Sequence, residues 1–164
     1  MTAKLDQDAI GTIAISSHES PSCGSTQSLS NYSRFGQRIR RRYAAELHLL
    51  GTDRPGHAVY PAVFAHLRGN GADVGAALRI LRQVVLLRLL ELDCDAQAGV
   101  RAITLAMTEL AEFALDTACS EVRKELDHKH GMPVGGDGLR AQLWVIGMGK
   151  LGARELNVSS DIDL

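Results

Sequence analysis

Between Asp73 and His130 an apolar residue recurs every three or four positions, with one break at residues 95–99. That spacing lines one face of a helix and does not match the alternation of a strand. It predicts two long helices. The first starts at a cap on Asp73 and runs to about Asp93, with Leu78, Leu81, Val85, Leu89 and Leu92 as its main stripe and Val84 and Leu86 widening it. A helix this apolar needs partners on more than one side. The second runs from Val100 to about His130 with Ile103, Met107, Leu110, Ala114, Ala118 and Val122 along one face. At ~1.5 Å per residue it extends roughly 45 Å. The short break predicts that the two pack as an antiparallel pair.

Upstream, residues 1–30 are rich in Ser, Thr and Gly and read as a disordered leader. A helix is predicted to start near Ser30 or Ser33, either of which suits a cap. Phe35, Ile39, Tyr43 and Leu47 recur every four residues as its apolar stripe, and Arg34, Arg38, Arg40, Arg41 and Arg42 cover the rest. This run reads as a solvated face; a contact surface for phosphate or RNA is the other reading, disfavoured because no aromatics interleave the run and the net charge is near zero. Residues 51–56 read as a loop. Pro61 fits the first turn of a short helix with Val63, Phe64 and Leu67, ended by Gly69-Asn70-Gly71. Residues 31–130 thus form a helical region.

Composition excludes several classes. The formal net charge is -1, so no global field draws the chain to nucleic acid or to an anionic membrane. Hydrophobic residues make up 45% but aromatics only 4%, which fits an aliphatic helical core. Arg88 and Glu91 break the longest apolar stretch, leaving it too short and too charged to span a bilayer. Residues 1–7 lack the basic start and apolar run of a signal peptide. Cys23, Cys94 and Cys119 have no metal or redox spacing and read as free thiols in a reducing compartment. A cytoplasmic location is expected. His128 and His130 read as cations at a helix end and not as metal ligands, since no third ligand stands at metal spacing.

Residues 131–138 form a glycine-rich joint where composition turns from helix-forming to strand-forming. Residues 139–146 read as a strand, with Leu143-Trp144-Val145-Ile146 as an unbroken apolar end. Gly147, Gly149 and Gly152 then match G-x-G-x-x-G, a pattern that lets backbone N–H groups approach a phosphate. Lys150 adds a cation. A dinucleotide-binding βαβ unit, taking NAD(P), needs a long helix next and an acid about 20 residues on. Here a helix has room only over residues 151–156, and the acids come early and paired. The other reading is nucleotidyl transfer. On a strand, Asp161 and Asp163 face one side with Cα atoms about 6.6 Å apart, and Ile162 and Leu164 face the core. Two unpaired carboxylates ~4 Å apart repel by about 4 kcal/mol at an effective dielectric of 20. A magnesium ion, bound at ~2.0–2.1 Å from such oxygens, would offset that.

The run Gly147-Met148-Gly149-Lys150-Leu151-Gly152, followed by Glu155-Leu156-Asn157-Val158-Ser159-Ser160-Asp161-Ile162-Asp163-Leu164, resembles the signature of glutamine synthetase adenylyltransferases. These bifunctional bacterial enzymes belong to the polymerase-beta-like nucleotidyltransferases. The wording from Glu155 to Asp163 is closer to their adenylyl-removing copy, and Tyr32-Ser33-Arg34-Phe35 and residues 81–93 are similar to its N-terminal helices. The resemblance implies an α+β fold: a mainly helical N-terminal portion, then over residues 131–164 the first strand-helix-strand of a nucleotidyltransferase domain. It implies Asp161 and Asp163 as the catalytic, metal-binding pair, and Gly147, Gly149 and Gly152 as the turn beside the nucleotide phosphates. Lys150 and Ser160 match signature positions too. It implies magnesium and ATP or ADP as cofactors, with AMP added to, or removed by phosphate from, a tyrosine of glutamine synthetase, and PII signal protein as a partner. Ala153 stands where the family usually has a further glycine, and the family's third carboxylate, on a later strand, is absent. This chain alone is therefore expected to be inactive. The remaining alternative is a non-catalytic helical interaction module.

Overall fold

The structure is a computed structural model that describes residues 28–164. The expected leader lies outside the described residues as far as Gln27, and so does Cys23. The described chain is mainly helical. A 3-10 turn, Leu29–Tyr32, precedes α1, Arg34–Arg42. A second 3-10 turn, Leu47–Leu50, leads to α2, Tyr60–Gly69. Then come α3, Val74–Cys94, α4, Val100–His130, and a short α5, Gly149–Gly152.

The starts of α1 and α3 follow from their caps. Ser33 Oγ accepts from the N–H of Gly36 at 3.2 Å, and Asp73 Oδ1 accepts from the N–H of Ala76 at 2.7 Å. Each occupies a donor that the first helical turn leaves free. Pro61 sits in the first turn of α2, as its fixed φ favours. The stripe expected to carry one helix through Tyr43 and Leu47 is divided instead: α1 stops at Arg42, and Tyr43 and Leu47 reach the core from a turn and a 3-10 segment.

Helix α3 is the hub, touching α1, α2, α4 and both 3-10 turns. Its Leu81, Val84, Val85 and Leu89 are buried against Val63 and Leu67 of α2 and Ala106, Met107, Leu110 and Ala111 of α4. Gly36 lets α1 come close: a Cβ there would meet Leu90 Cδ2 at 3.1 Å and Ser30 O at 3.2 Å. Tyr60 is fully buried, and its hydroxyl donates to Ala106 O at 3.0 Å, tying α2 to α4. Burial pushes its phenol well above the ordinary range; the charge of Glu109 adds to this and Arg54 opposes it. Phe113 of α4 packs edge-on to Phe64 and tilted to Tyr60.

The expected apolar face of α4 is covered only in its first half. Met107 and Leu110 are buried, whereas Val122 is 53% exposed. Length explains this. With 31 residues against the 21 of α3, α4 outruns its partner by about 15 Å at ~1.5 Å per residue.

The strand expectations are not met among the described residues. The joint closes as a small hairpin with one isolated antiparallel bridge, Val134 to Arg140. Arg140 also grips Asp127 of α4 through one nitrogen, 2.9 Å from Oδ1 and 2.7 Å from Oδ2. Beyond it, residues 141–148 carry no regular structure. Trp144 is 81% and Ile146 72% exposed, and Ile162 and Leu164 do not enter the core. The physical reason is pairing. An apolar run becomes a strand when a neighbour satisfies its backbone groups, and no described segment lies beside this one as a ladder.

Candidate functional site

The segment after residue 146 is held to the scaffold at two apolar points and two polar ones. Leu151 and Leu156 are buried in the helical core. Burial of each contributes ~1.5–3 kcal/mol. Between them, the N–H of Leu156 donates to Thr108 Oγ1 at 3.2 Å, and Thr108 is itself fully buried on α4. Arg154 reaches Glu112 of α4 at 2.7 Å, and the same carboxylate meets His57 Nε2 at 2.9 Å. Sequence reasoning missed Thr108 and Glu112. The available signal was a hydroxyl and an acid within the apolar stretch of α4.

The three glycines are held to their identity by contacts. A Cβ on Gly152 would stand 2.5 Å from Gly147 O, a backbone atom that cannot give way cheaply. Gly149 has φ +51, and a Cβ there would lie 2.8 Å from Asp163 Oδ2. The turn is therefore closed on itself and on the acid. Helix α5 covers Gly149–Gly152 and not the expected residues 151–156. Arg154, at φ +59, stops it, while Ala153 is ordinary helical backbone at φ -76. The alanine that departs from the family pattern thus carries no strain. A four-residue helix has little dipole to offer a phosphate. What the turn does present is the amide N–H groups of Gly149, Lys150 and Leu151, none of which meets a backbone acceptor among the described residues.

The acidic end folds back onto this turn. The N–H of Met148 donates to Asp163 O at 2.9 Å, which brings the Asp163 carboxylate against Gly149. Lys150 Nζ donates to Ser160 Oγ at 3.2 Å, and Ser160 Oγ donates to Asn157 Oδ1 at 2.7 Å. Asn157 Oδ1 also accepts from the N–H of Ser159 at 3.1 Å, so this side chain organises the bend before the acids. The structure thus brings Gly147, Gly149, Lys150, Gly152, Ser160 and Asp163 into one small assembly. Asp161 is exposed two residues before Asp163, and neither carboxylate has an ion pair or hydrogen bond among the described residues. Of the two, Asp163 is the one held beside the turn. No group of three or more His, Cys, Asp or Glu suited to a metal occurs among the described residues. No helix there is long and apolar enough to cross a membrane.

Over residues 59–164 the chain matches the family described as glutamate-ammonia ligase adenylyltransferase. It is similar to the bifunctional glutamine synthetase adenylyltransferase/adenylyl-removing enzyme of Ralstonia nicotianae, 41% identical over 143 residues, which is 82% of this chain and 15% of that protein. The protein of the same name from Burkholderia mallei is 49% identical over 88 residues, covering 54% of this chain and 10% of the relative. That from Thioalkalivibrio sulfidiphilus is 44% identical over 87 residues, covering 53% and 9%. The chain therefore spans less than a sixth of the length of these relatives. No solved structure matches it.

Proposed function

The chain belongs to the glutamate-ammonia ligase adenylyltransferase family, and on that premise we propose that its glycine turn and acidic pair form part of a nucleotidyl-transfer centre acting on a tyrosine of glutamine synthetase. The observation that supports this is the fold-back of Asp163 onto Gly149 through the Met148–Asp163 hydrogen bond. It sets an acid beside a turn with free N–H donors.

In this reading Asp161 and Asp163 hold magnesium, which would neutralise charge on the phosphoryl group when bound. The N–H groups of Gly149 and Lys150 orient phosphate oxygens of ATP or ADP, and the Lys150 ammonium, poised by Ser160, adds a positive charge. The match of Glu155 to Asp163 with the adenylyl-removing copy favours removal of AMP by phosphate as the direction, with PII signal protein as regulator and the polymerase-beta-like strand-helix-strand as the frame. An NAD(P) unit is disfavoured, because α5 has four residues where such a unit needs a long helix.

Manganese titration followed by electron paramagnetic resonance tests the acidic pair. The chain is expected to hold manganese at a saturable site. Asp161→Asn and Asp163→Asn should each weaken it tenfold or more with little change in melting temperature, since both side chains are exposed. Equal manganese binding by wild type and both variants would refute the proposal. With two carboxylates and no third metal-binding side chain beside them among the described residues, the 164-residue chain is expected to release AMP from modified glutamine synthetase only at background rate. Turnover well above background would show that two acids suffice.

A further inference from the structure

A cleft between α1 and α3 gathers four arginines that make no ion pair among the described residues. Arg38 and Arg42 stand one turn apart on α1, and Arg79 and Arg82 stand on α3. Together they line a cavity of about 630 Å³, within the ~300–1,000 Å³ usual for a small-molecule site. Ile39, Ile80 and Tyr43 supply apolar wall, and no Asp or Glu lines it. We propose that this cleft binds a polyphosphate anion: pyrophosphate, or the phosphate chain of a nucleoside triphosphate.

The charge of this cleft is largely uncompensated. Arg40, Arg54, Arg88, Arg140 and Arg154 each make an ion pair among the described residues. Arg38, Arg42, Arg79 and Arg82 make none. Asp73 caps α3 through Ala76 and keeps its charge; its Oδ1 and Arg79 Nη1 lie within 3.4 Å and 3.2 Å of one point beside Gly75, so it offsets at most one of the four. Four like charges around one cavity repel, in a chain whose net charge is only -1. Their heads are also partly positioned. Arg38 lies over the Phe35 ring at 5.8 Å and Arg42 over Tyr43 at 5.5 Å. Ring contacts restrain a guanidinium without neutralising it, and its fork still faces the carboxylate or phosphate geometry it matches best. A single phosphate monoester carries about -1.5 to -2 at pH 7, enough for two of the four arginines. Two or three linked phosphates balance the set. The cleft is separate from the glycine turn, because no residue from 147 to 163 lines it.

The test is calorimetric titration of the 164-residue chain with pyrophosphate and with ATP. Both are run in EDTA at low salt, so that a magnesium-dependent site stays silent. One-to-one saturable binding is expected, weakening as salt rises. The double variants Arg38→Gln/Arg42→Gln and Arg79→Gln/Arg82→Gln should each weaken it at least tenfold. Lys150→Gln, at the glycine turn, should leave it unchanged, which separates this site from the proposed catalytic one. Equal binding of the two ligands assigns the site to the phosphates alone, and tenfold tighter ATP assigns it to a nucleotide. All four arginines are exposed, so the variants are expected to fold, with circular dichroism as the check. The conservative Arg79→Lys/Arg82→Lys keeps charge but loses the fork and should bind at an intermediate level. No saturation by either ligand, or saturation that survives both glutamine doubles, overturns the proposal.

Discussion

Replacing Thr108 by valine tests whether the site segment hangs on α4 through one hydroxyl. The two side chains have nearly the same shape, so packing changes little. Two hydrogen bonds go. The first, from Thr108 Oγ1 to Thr104 O at 2.9 Å, adds to a carbonyl inside a helix and matters little. The second is the bond from the N–H of Leu156 at 3.2 Å, where both residues are buried. Valine strands that N–H away from water, and an unsatisfied buried donor costs ~1–3 kcal/mol. For a chain of this size, a loss near 2 kcal/mol lowers the melting temperature by roughly 4–8 °C. Thermal melting reads the global effect, and amide hydrogen exchange at Leu156 reads the local one. Exchange there should speed up more than in α3. Thr108→Ser keeps the hydroxyl and should hold Leu156 protection near the wild-type level. If Thr108→Val melts like wild type with Leu156 equally protected, or if serine behaves as valine does, the anchor is not this bond.

Gly152→Ala drives a methyl into Gly147 O and should cost ~1–3 kcal/mol as an overpacking, read in urea unfolding. Gly69→Ala, where a Cβ meets nothing within 4 Å, is the control and should be neutral or stabilising. Asp95 is held at about 2 by hydrogen bonds from the Ser28 hydroxyl and the Ser30 backbone. Its folded value lies below the ordinary carboxylate value, so its contribution is fully present above about pH 4 and is lost as pH falls toward 2. Asp95→Asn should flatten that part of the acid-melting curve. Trp144, the one tryptophan of the chain, is 81% exposed. Its fluorescence should be red-shifted and freely quenched by acrylamide before unfolding.

The helices were legible because their signals are local. Ser33 and Asp73 each advertise a cap within three residues, and Leu81, Val85 and Leu89 repeat within one element. The end of the covered stripe on α4 was not legible, because it depends on where α3 stops. The expected strands are not formed among the described residues for the same reason. Leu143 to Ile146 has the composition of a buried strand, but composition does not supply a neighbour. In the candidate site the glycines were legible as close approaches, though what they approach was not. Gly152 meets Gly147 O, and Gly149 meets a carboxylate 14 positions on. Thr108 and Asn157 went unread because a lone polar side chain gains its role only from the backbone that folds against it.

Three side chains of α4 hold the C-terminal segment: Thr108 at Leu156, Glu112 at Arg154, and Asp127 at Arg140. The outer two are 19 positions apart on one unbroken helix, about 28 Å of rod. A rod has few ways to bend, so these grips keep their spacing whatever moves around them. Any tilt of α4, including one begun at His57 through its shared carboxylate, would carry the hairpin, the turn and the acids along as a single passenger.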